Sequence, residues 1–419
     1  MKSRYSRLLS ILLALTMLLT LTACGCNCDG DCKCETTDSS AVSDPAAAPS
    51  PDSQPDAAPE DSATEPPEVQ TPKIKNIILI IGDGMGRNHI QAGVLDRGSQ
   101  YSFQKWTNTS ANTDSVNASG TPGILTDSAA AATALATGTL TINSRLGMDH
   151  TGKNLETIMD IAAAEGKATG IATTDNLYGA TPSGFSAHCV NRNDSVTITR
   201  TQLASGVNFL CGLHSSTYDQ TTYTSMIASS PYYYTKNLND KSIMSKDQVM
   251  LSLNIENGAT NSVSLKDVTM VALDYLDQDE DGFVLMVEQA HIDKNSHGNK
   301  FPEMLQRMHS LGETVDAIME WIGDREDTAV IITADHETGG LHVNNTTNYG
   351  LTYQGKNGPI YYKWDTTNHT RSNVSVFVYG IKPDFASFDT YKTEYLIKNT
   401  DIFRIMKQVL DENSAKKAS

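Results

Sequence analysis

Short apolar runs alternate with helical patterns along most of the chain after Lys73. The runs NIILII, ATGIAT, FVLMV, AVIIT and VSVFVY are rich in apolar and β-branched residues, and their shortness is typical of buried strands. Helical spacing appears between them in SAAAATALA, NLETIMDIAAAEG, SLKDVTMVALDYL and residues 302–322. Strands interleaved with helices predict an α/β fold, in which a mainly parallel central sheet is covered by helices on both faces. The Ser-, Tyr-, Asn- and Thr-rich stretch from His214 to Thr260 supports no assignment.

Three of the predicted strands lead into an acid. NIILIIG is followed by Asp83, FVLMV by Glu288, and AVIITA by Asp335. A single acid after a strand commonly caps the next helix, but the carboxyl ends of parallel strands meet at one edge of a sheet, where ligands bind. Because like charges brought together there require a cation, we expect a metal site at this edge.

The first 23 residues predict an export signal. Lys2, Arg4 and Arg7 precede an apolar run, Leu8–Ala23, which is shorter than the roughly 20 residues that span a bilayer. The end of this run, LTAC, resembles the lipobox of bacterial lipoproteins and implies cleavage before Cys24 and a lipid on that cysteine. The lipid would anchor the exported protein to the outer face of a bacterial membrane, and a plain secretory signal is the alternative.

Residues 24–72 do not predict a folded core. CGCNCDGDCKC at 24–34 holds four cysteines beyond Cys24 that suit either a soft metal or disulfides, namely Cys26, Cys28, Cys32 and Cys34. Residues 35–72 are almost free of apolar side chains and contain acids but no base, which predicts a disordered tether. Residues 73–419 then form one large domain. The formal net charge of −17 gives no support to nucleic-acid binding.

Two motifs indicate chemistry that the surrounding sequence does not support. DQDEDGFVLMVE, which ends at Glu288, fits the calcium-loop template at every fixed position. A calcium hand continues into a helix, however, whereas FVLMV favours a strand, and no second hand follows. We therefore expect a polar turn that enters a strand. GDGMG resembles a dinucleotide fingerprint, but its third glycine is replaced by Arg87.

Other stretches carry metal-binding and nucleophilic side chains. Ser128 opens the Ala-rich helical pattern, where its hydroxyl group would face an incoming phosphate at the positive end of the helix dipole. The alternative is that Ser128 or Asp127 only caps the helix. Asp293 and His297 lie four residues apart, on one face of a helix, as ligands of one zinc would. His336 and His369 add two further candidate ligands.

These stretches together resemble the alkaline phosphatase family. IIGDGMG, TDSAAAATALATG, ATPSGFSAHCVNR, FVLMVEQAHIDKNSH, TADHETGG and NHT occur in the order and spacing of that family, across nearly all of residues 74–380. The resemblance implies an alkaline phosphatase-like fold for residues 73–419. It also implies a phosphomonoesterase with two zinc ions, one magnesium ion and a covalent phosphoserine.

The resemblance assigns each site residue a role. Ser128 would be the nucleophile, Arg192 the clamp on the phosphate, and Lys294 an auxiliary group beside it. The zinc that activates the serine would be bound by Asp83, Asp335 and His336. The second zinc would be bound by Asp293, His297 and His369. The magnesium would be bound by Asp83, Thr181 and Glu288.

One residue departs from the family pattern. Two positions before Thr181, many members carry an Asp or His that supports the magnesium site, and this chain has Gly179. We expect water to fill the space beside Gly179, so that only three protein ligands remain. Lys294, without a neighbouring acid, would then be freer to attract the substrate phosphate.

Several alternatives remain open from the sequence. A phosphodiesterase, sulfatase or phosphoglycerate mutase of the same superfamily is the nearest one, although Ser128 and Arg192 favour phosphate monoesters as substrates. A non-catalytic, tethered metal-binding lipoprotein is another. The oligomeric state, monomer or homodimer, is undecided. Cys189 and Cys211 form either a disulfide or two buried thiols.

Overall fold

A computed structural model of the chain describes residues 74–388 and 396–417, which all belong to Val69–Ser419, the second of two units into which the chain divides. The predicted signal, the cysteine-rich segment and the tether lie outside the described residues. Within the described part, no helix has both the length and the apolar character that a membrane span requires.

The central sheet contains ten strands and is flanked by helices. The strands of the described residues are β1 (Asn76–Gly82), β2 (Thr107–Asn112), β3 (Ser115–Val116), β4 (Pro122–Ile124), β5 (Ala168–Thr173), β6 (Phe209–Leu213), β7 (Tyr233–Thr235), β8 (Val249–Leu253), β9 (Phe283–Gln289), β10 (Thr328–Thr333), β11 (Glu337–Thr338), β12 (Leu341–Asn344), β13 (Leu351–Gly355), β14 (Gly358–Trp364), β15 (His369–Thr370), β16 (Val374–Tyr379) and β17 (Leu396–Lys398). The order across the central sheet is β17-β2-β16-β10-β1-β9-β5-β6-β8-β7.

The helices connect these strands and cover the sheet. They are α1 (Arg87–Arg97), α2 (Ser128–Thr137), α3 (Ile158–Ala164), α4 (Ala180–Ser186), α5 (Ser195–Gln202), α6 (Thr221–Ala228), α7 (Leu265–Leu276), α8 (His291–His297), α9 (Phe301–Ile322), α10 (Phe385–Phe388) and α11 (Asn399–Lys417), with 3₁₀ helices at Ser102–Lys105, Ser216–Asp219 and Lys241–Ser245. α2 is buried along its whole length, since its small side chains let α4 pack closely against it. A Cβ on Gly184 of α4 would lie only 2.7 Å from the Cβ of Ala132.

The predicted α/β architecture is confirmed. All pairs from β10 through β1, β9, β5, β6 and β8 to β7 are parallel, and the five predicted strands are β1, β5, β9, β10 and β16. β16 runs antiparallel to both of its neighbours. The strands around β1 are buried on both faces, which explains why their sequences are continuously apolar rather than alternating.

Two regions add to or differ from what the sequence pattern predicts. NLETIMDIAAAEG is a helix only over α3, because Thr157 caps it and Asp160 completes the capping box. The unassigned stretch from His214 to Thr260 contains α6, β7 and β8, so it extends the parallel sheet rather than forming a loop. The short buried strand β8 was not predicted, because the residues around it are mostly polar.

The calcium-loop segment is a turn followed by a strand, as expected. Asp277 pairs with Arg325, whose Nη2 lies 2.7 Å from its Oδ1, and the apolar run that follows is β9. Cys189 and Cys211 are both free thiols and both buried. They lie in separate hydrophobic clusters, so the disulfide alternative is wrong.

Candidate active site

The three strand-end acids converge because their strands are neighbours in the sheet. β10, β1 and β9 lie side by side and parallel, and Ile81 of β1 is paired with both Thr333 of β10 and Glu288 of β9. Asp83 follows directly after β1, and Asp335 comes two residues after β10. The carboxyl edge therefore collects three buried carboxylates.

A fourth buried acid, Asp293, joins them from α8, the short helix that follows β9. Burial raises the pKa of Asp83 well above its ordinary value, and the negative charges of Asp335 and Asp293 raise it further. Burial and the charge of Asp175 raise the pKa of Glu288 to about 8. Buried acids that repel each other in this way mark a place for bound cations.

The first candidate metal cluster surrounds the imidazole of His336, which is completely buried. Its Nε2 lies 3.1 Å from Asp335 Oδ2 and 3.5 Å from Asp83 Oδ1. Neither carboxylate oxygen has a hydrogen-bond partner among the described residues. On the other side of the ring, Nδ1 lies 3.2 Å from Thr338 Oγ1. Oxygen and nitrogen lone pairs thus face one another without protein donors between them, as in a site built for zinc.

The second candidate cluster contains Asp293, His297 and His369, and their ligand atoms all lie within 4.8 Å of one another. His297 Nδ1 lies 2.5 Å from the carbonyl oxygen of Thr367, and His369 Nδ1 lies 2.9 Å from that of Thr126. These contacts turn both Nε2 atoms towards the cluster. A backbone carbonyl that holds the second ring nitrogen is the usual support of a zinc-bound histidine.

The two candidate metal clusters lie next to each other. Asp83, Asp293 and His336 form a further group whose ligand atoms lie within 4.8 Å of one another, and the rings of His336 and His369 stack with centroids 3.5 Å apart. Thr338 Oγ1 donates to Asp293 Oδ1 at 2.5 Å and contacts His336, so one hydroxyl group orients residues of both clusters. The arrangement suits two metal ions close together.

A third group of oxygens lies at the ends of β9 and β5. Glu288 accepts a hydrogen bond from Thr173 Oγ1, and the buried Thr181 Oγ1 at the start of α4 has no well-formed hydrogen bond among the described residues. Asp83 Oδ1, which lies 3.5 Å from His336 Nε2, likewise accepts no hydrogen bond among the described residues. Hydroxyl and carboxylate oxygens are the donors that magnesium prefers.

Ser128 stands beside the first cluster at the N-terminus of α2. Its Oγ lies 3.2 Å from His336 Nε2. Asp127, not Ser128, caps the helix, because its side chain accepts from Ala130 N. The serine hydroxyl is therefore left for chemistry rather than for capping.

Arg192 lies in the loop between α4 and α5. Its Nη1 lies 3.1 Å from Asp127 Oδ2, and its side chain is 31% exposed. The same carboxylate oxygen accepts from Ser144 N at 2.9 Å, so Asp127 fixes the guanidinium next to the nucleophile. The remaining guanidinium donors are available to bind two oxygens of a phosphate.

The expectation for Gly179 is wrong. The carboxylate of Asp175 fills the space beside Gly179, since a Cβ built on Gly179 would overlap Asp175 Oδ2. Lys294 Nζ donates to Asp175 Oδ1, so this lysine does have a neighbouring acid. Burial opposes the charged form of Lys294, but the charge and hydrogen bond of Asp175, together with the charges of Glu288 and Asp83, raise the pKa of the lysine.

Three supporting residues were not identified from the sequence: Asp127, Asp175 and Thr338. A signal for Asp175 was present, because it follows β5 as closely as the other acids follow their strands. Asp127 was weighed only as a helix cap. Thr338 had no signal, because only the fold shows that its hydroxyl group lies between Asp293 and His336.

Comparison with known proteins agrees with this geometry. The family model described as Alkaline phosphatase matches residues 74–208 and 246–362. The chain is 31% identical to alkaline phosphatase 4 of Bacillus subtilis over 293 residues, 65% of this chain and 63% of the relative. It is 28% identical to the alkaline phosphatase of Escherichia coli over 411 residues, 80% of this chain and 86% of the relative. The match thus spans just under two thirds of the Bacillus relative.

Solved structures show the same fold. The alkaline phosphatase of the Antarctic bacterium TAB5 superposes with a TM-score of 0.69 at 24% identity, over 81% of this chain and 98% of that one. A variant of the TAB5 enzyme with magnesium bound in its M3 site has a TM-score of 0.67 at 24% identity, over 81% of this chain and 99% of that one.

Proposed function

The chain belongs to the alkaline phosphatase family, and on that premise we propose that it hydrolyses phosphate monoesters through a covalent phosphoserine at Ser128. One observation carries the proposal. The Ser128 hydroxyl group, which does not cap its helix, lies 3.2 Å from His336 Nε2, and Arg192 is paired with the adjacent residue Asp127. A serine, a cationic clamp and two clusters of metal-type donors in one place support phosphoryl transfer through that serine.

The protein's own groups account for substrate binding. Arg192 offers two parallel N–H donors to two phosphate oxygens, and its pairing with Asp127 keeps the guanidinium plane in place. The N-terminus of α2 adds a favourable field for a dianion next to Ser128. A second substituent on phosphorus would compete with this clamp, which favours monoesters over diesters.

Two displacements complete the reaction. Ser128 Oγ loses its proton and forms a bond to phosphorus as the ester bond breaks, and the leaving alkoxide takes up a proton. Water then loses a proton and forms a new bond to phosphorus, and the Ser128 Oγ–phosphorus bond breaks. The serine oxygen regains a proton, and inorganic phosphate is released. Splitting one difficult displacement into two is the advantage of a covalent intermediate.

The described residues fit two zinc ions and one magnesium ion. Asp83, Asp335 and His336 would hold the first zinc, and the second zinc would be held by the cluster of Asp293, His297 and His369. The magnesium would be held by Asp83, Thr181 and Glu288, and the magnesium-bound TAB5 variant supports this class of third metal. When bound, such ions stabilise the negative charge on the serine oxygen and on the leaving oxygen.

We further propose that the enzyme acts outside the cytoplasm, anchored through a lipid on Cys24. The support is sequence alone: the basic start, the short apolar run and LTAC. The acidic composition gives no support to nucleic-acid binding, and Arg192 supplies the local positive charge for a small phosphate monoester.

The deciding experiment is a substrate panel with metal analysis. Zinc-loaded protein is assayed on an aryl phosphate monoester, the matching diester and the matching sulfate ester, with Ser128→Ala as the control. We expect turnover of the monoester, accompanied by about two zinc ions per chain. Preference for the diester or sulfate would indicate a superfamily relative, and metal binding without turnover would indicate a non-catalytic metal-binding lipoprotein.

A further inference from the structure

Asp175 carries its carboxylate into the space beside Gly179. The backbone of Gly179 has an ordinary φ of −61°, so the glycine is not required by the backbone conformation. What a side chain there would meet is Asp175 Oδ2, together with the carbonyl oxygen of Asn176 at 2.8 Å. The carboxylate of Asp175, four residues upstream, therefore already occupies the space that a side chain at position 179 would need.

The backbone holds Asp175 firmly in this place. Its amide donates to Thr173 Oγ1 at 2.8 Å, and its carbonyl oxygen accepts from Leu213 N at 2.7 Å. Its Oδ1 accepts from Asn176 N at 2.8 Å as well as from Lys294 Nζ. With its side chain only 16% exposed, the carboxylate has a defined position rather than a solvent-averaged one.

Thr173 connects Asp175 to Glu288. The Thr173 hydroxyl group accepts from Asp175 N and donates to Glu288 Oε2. One hydroxyl group therefore joins the backbone of Asp175 to the carboxylate of Glu288. Lys294 Nζ donates to Asp175 Oδ1 from a side chain that is 43% exposed.

We propose that Asp175 is a positioning residue that replaces, from the end of β5, the carboxylate that position 179 lacks. It orients Lys294 and supports the water shell of the third metal, beyond the ligands Asp83, Thr181 and Glu288. The inference rests on the proposed function. It makes the third site complete in this chain, although the residue that completes it comes from a different sequence position.

Asp175 can strengthen magnesium binding without touching the ion, because magnesium keeps several of its waters when a protein binds it. Those waters need acceptors, and a fixed carboxylate next to Glu288 supplies them. Loss of such an outer group typically weakens metal affinity by about 10- to 100-fold. The same carboxylate neutralises Lys294, so its removal also leaves that ammonium group free to attract phosphate.

The test uses zinc-loaded protein in phosphate-free buffer, titrated with magnesium in a calorimeter. The variants are Asp175→Asn, Asp175→Ser, Lys294→Gln and the double variant Asp175→Asn with Lys294→Gln. Asn keeps the acceptor for Asn176 N and nearly the same shape, so the loop remains folded. Asp219→Asn is the matched control, because it removes another Asp–Lys pair, with Lys236 Nζ at 2.6 Å, away from the site.

We expect both Asp175 variants to bind magnesium about 10- to 100-fold more weakly, with unchanged zinc content and an unchanged control. At saturating magnesium, Asp175→Asn should bind inorganic phosphate more tightly than the parent, and the double variant should lose this gain. A merely structural role of Asp175 would not tighten phosphate binding.

Unchanged magnesium affinity in Asp175→Asn and Asp175→Ser overturns the inference, and so does an equal loss in Asp219→Asn. If the parent hydrolyses phosphate monoesters and these variants bind magnesium normally, only the role of Asp175 is wrong. If the zinc-loaded parent hydrolyses no monoester, the proposed function itself fails.

Discussion

His297 and His369 face each other through their Nε2 atoms, which lie 3.2 Å apart. Each ring has its Nδ1 against a backbone carbonyl oxygen, so in the neutral state each Nδ1 carries the proton and both Nε2 lone pairs point inward. Two lone pairs at this distance, next to the Asp293 carboxylate, repel each other unless a cation or a proton lies between them. The second cluster is therefore arranged for a metal before any metal arrives.

This relationship predicts the effect of removing one imidazole. His297→Ala and His369→Ala should each lower the zinc content from about two ions per chain to about one and strongly reduce turnover. His342→Ala is the matched control, because that exposed histidine pairs with Asp365 outside the clusters. Full zinc content in both active-site variants, measured by elemental analysis after dialysis, would contradict the assigned second site.

Replacement of the nucleophile should be more severe than any ligand change. Ser128→Ala should lower monoester turnover by at least about 10³-fold, since covalent catalysis is lost while the binding groups remain. Rapid-quench trapping should detect a phosphoenzyme in the parent and none in the variant. Near-normal turnover of Ser128→Ala would rule out the phosphoserine, and Ser205→Ala serves as a control on a remote serine.

Metal removal should make stability fall as pH rises. The pKa of Glu288 is raised to about 8 from an ordinary value of 4.5, so the metal-free folded state holds a proton that the unfolded state releases. The stability from this group is present below pH 4.5 and is lost as pH rises towards 8. The raised pKa values of Asp83 and His336 act in the same direction, whereas the lowered pKa values of His89, His291 and His369 oppose the decline below about pH 6.5.

Thermal unfolding of chelated protein between pH 6.5 and 8 checks this linkage, because the histidines with lowered pKa values are largely neutral in both states there. We expect Glu288→Gln to show a shallower decline than the parent, and the exposed Glu280→Gln to behave like the parent. Restored metal should reverse the trend, because it binds the deprotonated carboxylates. An equally steep decline in Glu288→Gln would show that this acid is not the source.

Gly179 offers a steric prediction. Gly179→Ala should destabilise the protein by about 1–3 kcal/mol, because the new methyl group overlaps Asp175 Oδ2 and crowds the Asn176 carbonyl oxygen. In an Asp175→Ala background the cost should shrink, although not vanish, since the carbonyl oxygen remains. Denaturant unfolding of the two single variants and the double variant measures the coupling, and strict additivity would refute the contact.

The membrane anchor has its own test. Cys24→Ser should release the enzyme from the membrane fraction without change in specific activity, because all the proposed site residues lie between Asp83 and His369. Retention of Cys24→Ser on membranes would argue against lipidation as the sole anchor.

Local pattern was enough to determine the elements that position the site. Five apolar runs became β1, β5, β9, β10 and β16, since a strand buried on both faces admits little but apolar residues. The convergence of Asp83, Glu288 and Asp335 followed from the same logic, because an acid at the end of a parallel strand can lie only at the carboxyl edge. Spacing also placed Asp293 and His297 on one helix face.

Only the tertiary structure decided which side chain fills which space. The sequence suggests an empty space beside Gly179 and no acid beside Lys294. In the structure, the turn after β5 places the Asp175 carboxylate beside Gly179, where it also accepts from Lys294 Nζ. The tertiary structure likewise separates Cys189 from Cys211 and places the Thr338 hydroxyl between Asp293 and His336. Periodicity describes contacts within one element, whereas these depend on how loops from different strands pack, and no local pattern records that.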